Sequence, residues 1–198
     1  MKIKKIIDIC KKTGNIIIYN TERGSWLSDG FAWYPTSDLP QFDEVTLCEV
    51  YDITDSQASK INFRHEGALP SEFCFDDLCE EEELSSRGPL WLSSGNTGII
   101  PYEATQGVEF IKAKYFAPLS DIKDSMLDVY ERISASGKTY FVAKTGLIVV
   151  AVITACDVVN KEFVAQLMAL TKQCEVKLFN DTSTTEPAQM NMEDGGAE

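Results

Sequence analysis

Apolar residues fall at Ile3, Ile6, Ile7 and Cys10, the i, i+3, i+4, i+7 spacing that puts four side chains on one face of a helix. The pattern predicts an amphipathic helix over residues 2–12, with Lys4, Lys11, Lys12 and Asp8 on the opposite face. Gly14 is a natural stop, because glycine takes the left-handed cap conformation without a Cβ clash, and Lys11 and Lys12 suit the negative end of the helix dipole. The β-branched run "NIIIYN" predicts a strand over 15–20, and "TERG" a turn. In "GSWLSDGFAWYP" (24–35), Asp29-Gly30 divides two aromatic runs. That is a hairpin signal, and Pro35 ends the second strand. Residues 40–53 predict a second helix capped by Asp43, with Val45, Cys48 and Tyr51 facing inward. Ile61–His65 reads as a further strand.

Residues 71–88 break the pattern: seven acidic residues lie between Glu72 and Glu83 with no basic one. An exposed acidic connector is expected there. Strands follow at 90–94, 98–102, 108–112, 127–134, 138–144 and 147–155, the last three joined by short turns as in an antiparallel meander. Asn160 is placed to cap a third helix, 161–173, with Phe163, Val164, Leu167 and Met168 on one face. "EVKLF" (175–179) predicts a last strand, and the polar, acidic residues 181–198 a disordered tail. The expected class is α+β: antiparallel sheet with about three helices, in a globular region 1–180. Two lobes, 1–70 and 89–180 on either side of the connector, are the open alternative, and no internal repeat is evident.

Composition changes the picture mainly through charge. The 198 residues are 44% apolar and 25% charged, an ordinary globular balance, yet the net charge is −13. Residues 1–14 carry five Lys and one Asp, so the remainder sums to −17. A uniformly basic nucleic-acid binder is excluded, because phosphate contacts need a cationic surface. One local basic face on an acidic molecule is not. The Lys-flanked start is interrupted by Asp8 and does not read as a signal peptide, and the longest apolar run, 146–156, is too short to span a bilayer. Those features and six scattered cysteines predict a cytoplasmic protein with free thiols and no membrane partner.

The candidate chemistry is thin. "SASGKT" (134–139) ends like a phosphate-binding loop, but Arg132 stands where that loop needs glycine and a strand-like run follows instead of a helix, so a hairpin turn is expected. His65, the single histidine, has no nucleophile or orienting carboxylate in its sequence context. Cys74-x4-Cys79 lacks the second Cys/His pair of a zinc site. No catalytic residue, metal site or cofactor is expected. The aromatics Trp26, Phe31, Trp33 and Tyr34 read as a staple between strands, with one or two left exposed at the turn. The most informative charge feature is Lys4, Lys5, Lys11 and Lys12 on the first helix. It is either a solvated helix face or a local anion-binding surface for nucleic acid.

Two stretches carry a resemblance. Residues 26–53, with W-x-S-D-G-x-A-x-Y-P, and 129–174, with G-K-x-Y-x-V-A-K-x-G and a D-V-V-N helix start, are similar to an uncharacterised family encoded in phages and prophages of Gram-positive bacteria. The resemblance implies a phage gene working in a bacterial cytoplasm and brings no catalytic residues. The resulting expectation is a non-enzymatic accessory protein of DNA metabolism, in its sharpest form a sliding-clamp-like processivity factor with protein partners, DNA contact through the first helix and self-association. The alternative is a regulatory or host-protein-binding adaptor with no DNA affinity. An enzyme whose site forms only in three dimensions would instead require a deep pocket with convergent polar groups.

Overall fold

A computed structural model describes residues 1–22, 24–36, 43–94, 97–157 and 161–183. The chain divides into a unit spanning Met1–Cys156 and a second spanning Asp157–Glu198. The fold is mixed α+β. In order, the first unit contains α1 (Ile3–Thr13), β1 (Asn15–Thr21), β2 (Gly24–Ser28), β3 (Ala32–Pro35), α2 (Glu44–Val50), α3 (Asp55–Ala58), β4 (Asn62–Glu66), β5 (Glu83–Leu84), β6 (Leu92–Ser94), β7 (Thr97–Ala104) and β8 (Gly107–Lys112). Two 3-10 helices, Ala113–Leu119 and Asp124–Met126, lead to β9 (Asp128–Ile133), β10 (Thr139–Thr145) and β11 (Ile148–Thr154). The second unit holds α4 (Lys161–Ser183). Among the described residues, no helix is long and apolar enough to cross a membrane.

The first elements form as their pattern dictates. Gly14 caps α1 at φ 73°, its N–H donating to the Cys10 carbonyl at 2.9 Å. At the β2–β3 turn, Asp29 Oδ1 accepts from the N–H groups of Phe31 and Ala32, both at 3.0 Å, while Ser28 Oγ accepts from Gly30 N–H at 2.8 Å. Gly30 takes φ 94°, a conformation that a Cβ would strain. At the other hairpin, Ser134 N–H donates to the Lys138 carbonyl and Gly137 N–H to the Ser134 carbonyl, both at 2.8 Å, and β10 follows. The "SASGKT" stretch is therefore a hairpin turn.

The main sheet runs β4-β1-β2-β3-β11-β10-β9-β5, and β6-β7-β8 form a second, smaller sheet. β3 pairs antiparallel with β11, with Trp33 opposite Val152 and Ala32 opposite Ile153. That pairing puts strands from before and after residues 71–88 into one sheet. It also exposes a relation invisible in the sequence. α1-β1-β2-β3 and the 113–119 helix-β9-β10-β11 are two helix-plus-three-strand segments that meet at β3–β11.

The sheet buries both faces. On one lie Ile16, Ile18, Leu27, Tyr34, Phe141, Ala151 and Ile153, covered by Ile6, Ile7 and Cys10 of α1 and by Tyr115 and Leu119 of the 3-10 helix. On the other lie Ile17, Tyr19, Trp26, Trp33, Tyr140, Val142 and Val152, covered by Leu69, Phe73 and Phe75. The period-2 alternation of the strands sorts residues between the two layers. A bulge opposite Ala143/Lys144 lets Val150 and Ala151 both turn to the first face. Of the hairpin aromatics, Trp26, Trp33 and Tyr34 are buried and Phe31 is half exposed, the staple expected.

Four expectations are corrected. In α2, Val45 faces solvent and Leu47 is the buried residue, while Cys48 and Tyr51 are half-buried. Asp43 does cap this helix, accepting from Thr46 N–H at 2.7 Å. Residues 71–88 are more than a connector: six of their seven acids are exposed as expected, but Phe73 and Phe75 cover the sheet and β5 joins its edge. The strand at 175–179 is absent because α4 continues through to Ser183. No Gly or Pro interrupts 161–183, and Glu, Lys, Leu and Gln favour helix there. Asn160 and residues 184–198 of the expected tail lie outside the described residues, whereas 181–183 are helical. The small sheet and the 3-10 helices match the remaining strands at 92–94, 97–104 and 107–112 and fill the interval between them and β9.

Candidate nucleic-acid interface

The four sequence-selected lysines lie on α1, whose inward side is set by Ile6, Ile7, Ile9 and Cys10. Lys4, Lys5 and Lys12 are exposed. Lys11 is half-buried, its Nζ donating to the Tyr51 carbonyl at 3.1 Å. It is thereby spent on holding the end of α2. Helical spacing sets Lys4 in line with Lys11 and Lys5 in line with Lys12, about 10.5 Å apart along the axis. Asp8 falls between the two rows.

The N-terminus of α1 is tied to the end of the 113–119 helix. Lys2 N–H donates to the Pro118 carbonyl at 2.8 Å, and Lys2 Nζ lies 2.7 Å from Asp121 Oδ1. The two helices thus lie beside each other on one face of the sheet. The second brings cations that the sequence reading passed over. Lys112 Nζ sits 5.5 Å from the Phe31 ring centroid and Lys114 Nζ 4.7 Å from that of Tyr115. Lys114 is also 3.6 Å from Asp29 Oδ2. Burial lowers the Lys114 pKa, and the Asp29 carboxylate offsets part of that. "KAK" at 112–114 was the available signal.

Beneath these helices is a sealed polar cluster. Asp29, buried, caps the β2–β3 turn and accepts from the Tyr115 hydroxyl at 3.2 Å, and the Tyr34 hydroxyl donates to the Tyr115 carbonyl at 2.8 Å. Burial, then the Asp29 charge, pushes the Cys10 thiol and the Tyr34 and Tyr115 phenols well above their ordinary pKa values. All three stay protonated at neutral pH. The cluster binds turn, helix and core together and offers neither a base nor a nucleophile to solvent.

The opposite face carries a second charged group. Arg132 and Lys144 are almost wholly buried, and Glu82 answers both. Arg132 Nε donates to Glu82 Oε2 at 2.9 Å and its NH1 to the Cys74 carbonyl at 2.9 Å. Lys144 Nζ donates to the Asp77 carbonyl at 2.6 Å and lies 4.7 Å from the Tyr130 ring centroid. Asp77 Oδ1 accepts from Val149 N–H at 2.8 Å, and Cys74 N–H donates to the Tyr140 hydroxyl at 2.9 Å. Burial raises the Glu82 pKa, but the hydrogen bonds and charges of Lys144 and Arg132 outweigh it and hold the carboxyl below its ordinary range. Residues 73–84 are in effect a strap pinned across the sheet. Tyr140 and Lys144 of the G-K-x-Y-x-V-A-K-x-G stretch serve this strap, and Asp29 and Tyr34 of W-x-S-D-G-x-A-x-Y-P serve the sealed cluster.

Neither remaining candidate makes a reaction centre. His65 is exposed on edge strand β4. Cys74 and Cys79 lie side by side, burial raising the Cys74 thiol, and among the described residues no group of three metal-ligating side chains forms. An open cleft of about 500 Å³ is lined by Ser85, Arg87, Trp91, Tyr102, Phe116 and Asp124, among others. Arg87 sits over the Trp91 ring at 5.7 Å, and Tyr102 stacks on Phe116 at 5.9 Å. Its lining residues include no cysteine or histidine. No family model, curated protein or solved structure matches the chain.

Proposed function

We propose that this chain is a non-enzymatic accessory protein of DNA metabolism in a phage or prophage of a bacterial host, clamp-like in architecture, that rests on the phosphate backbone without reading sequence. One observation carries the reading: two helix-plus-three-strand segments meet at β3–β11 and set their helices side by side on one sheet face, where α1 presents Lys4, Lys5 and Lys12 to solvent. A helix layer with exposed cations over a mainly antiparallel sheet, in which β1 and β4 pair in parallel, on a chain of net charge −13, is the arrangement a clamp-like factor needs: attraction on one face and repulsion over the acidic remainder. The buried polar groups of the sealed cluster and of the strap are taken up by structural contacts.

The test is fluorescence anisotropy of a labelled duplex at low salt, comparing wild type with K4E/K5E/K12E. Binding by wild type and a loss of at least tenfold in the charge-reversed variant is expected. Equal affinities, with both proteins folded by circular dichroism, would remove α1 from the interface. A host-protein adaptor is the second reading, favoured by Asp8 lying between the lysine rows, and it expects no duplex binding by either protein.

A further inference from the structure

α4 is the described element of the second unit, with no other helix or strand beside it there among the described residues. On one side of its 23 residues, Leu167 and Leu170 are 48% and 55% exposed. Apolar side chains left exposed along one side of a helix imply a helical or core partner. The spacing says which. Phe163, Leu167, Leu170 and Cys174 are separated by four, three and four residues, the alternation of d and a positions in a heptad repeat.

The flanks and the charge identify the occupant. Val164 and Thr171 take the e positions, and Gln166 and Gln173 the g positions, so no charged residue borders this seam. Over 163–174 two identical helices can therefore meet in parallel without opposing like charges, and Lys177, at the next d position, ends the seam. Lys161, Lys172 and Lys177 balance Glu162, Glu175 and Asp181, which makes α4 electrically neutral on a chain of −13. It is thus a place where two copies can approach without the repulsion the rest of the molecule imposes. A lipid surface fits poorly, because the polar side mixes both signs instead of presenting a basic face.

We propose that α4 is a self-association helix through which two copies of the chain pair in parallel and in register, with Leu167, Leu170 and Cys174 along the seam. This does not depend on DNA contact by α1. Of the six cysteines, Cys174 alone is exposed. In a parallel pair its two copies face each other at an a position, close enough for oxidation to couple them.

Light scattering of the full chain after size exclusion should give the mass of two chains, falling toward one on dilution. Diamide, which takes two hydrogens from a thiol pair and leaves a disulfide, should yield a covalent dimer from wild type and none from Cys174→Ser. A Leu167→Asp/Leu170→Asp chain should run as one copy and resist this coupling, with the thermal transition of Met1–Cys156 unchanged as proof of folding. A single-chain mass at every concentration, a mass other than two, or a dimer that persists in the double variant overturns the proposal. A leucine-dependent dimer that Cys174 does not couple overturns the parallel register.

Discussion

Arg132 and Lys144 surrender nearly all contact with water, and Glu82 is the carboxylate that compensates both. Removing one partner of a buried ion pair costs about 3–5 kcal/mol, mostly through the charge left behind. Glu82→Gln leaves two cations and should lower stability by about that much, read from the midpoint of urea unfolding. The acid response fixes the sign. Folding holds Glu82 below its ordinary value of 4.5, so its contribution is complete above that pH and is lost as pH falls through the depressed folded-state value. Wild type should lose stability below pH 4.5 by a share that Glu82→Gln no longer shows, and parallel curves for the two proteins would refute the assignment. At this scale the sequence is half legible. Alternation along β9 and β10 places Arg132 with Tyr130 and Lys144 with Tyr140 and Val142, so two charges stand visibly in an inward register. Their partner is hidden, because Glu82 lies 50 residues from Arg132 in a run of seven interchangeable-looking acids. Asp29 is plain as a turn residue but not as a buried anchor, since the Tyr115 that donates to it is 86 residues away.

Among the elements, legibility follows the range of the forces involved. α1, the β2–β3 hairpin and the β9–β10–β11 meander are set by local periodicity and turn chemistry, and they stand where the pattern puts them. The strap is set by long-range packing. Its acidic composition reads as solvated, yet Phe75 meets Trp26 edge-on at 5.2 Å and Trp33 at 5.9 Å, and these contacts outweigh the local preference for water. α2 is too short for periodicity to choose between Val45 and Leu47, and the core takes Leu47. Deleting the Phe75 ring removes three aromatic pairs, with Trp26, Trp33 and Phe73, and part of the cover over the sheet, which should cost about 2–3 kcal/mol. Glu80 and Glu81 are exposed just beyond the ring. A glutamyl-specific protease should therefore cut Phe75→Ala there several times faster than wild type under native conditions. Unchanged cleavage would mean that the ion cluster holds the strap by itself.

For the whole molecule, the fold explains how an acidic chain can carry a cationic site. The paired helix-plus-three-strand segments leave no repeat in the sequence because their helices differ in kind: α1 has 11 residues of α-helix, whereas its counterpart is a seven-residue 3-10 helix containing Pro118. Only the pairing of β3 with β11 makes the correspondence visible. The consequence is a basic α1 face confined to one layer, and its behaviour with DNA tests the proposed function most directly. The measurement is the salt dependence of duplex affinity on two unrelated sequences. Three phosphate contacts, one each for Lys4, Lys5 and Lys12, correspond to a slope of about −2.7 in log affinity against log salt, a roughly 40-fold loss between 0.05 and 0.2 M. That slope, equal for both sequences, is the expected result. No measurable binding at low salt, or an affinity that differs between the sequences and ignores salt, would contradict a backbone-resting, clamp-like protein.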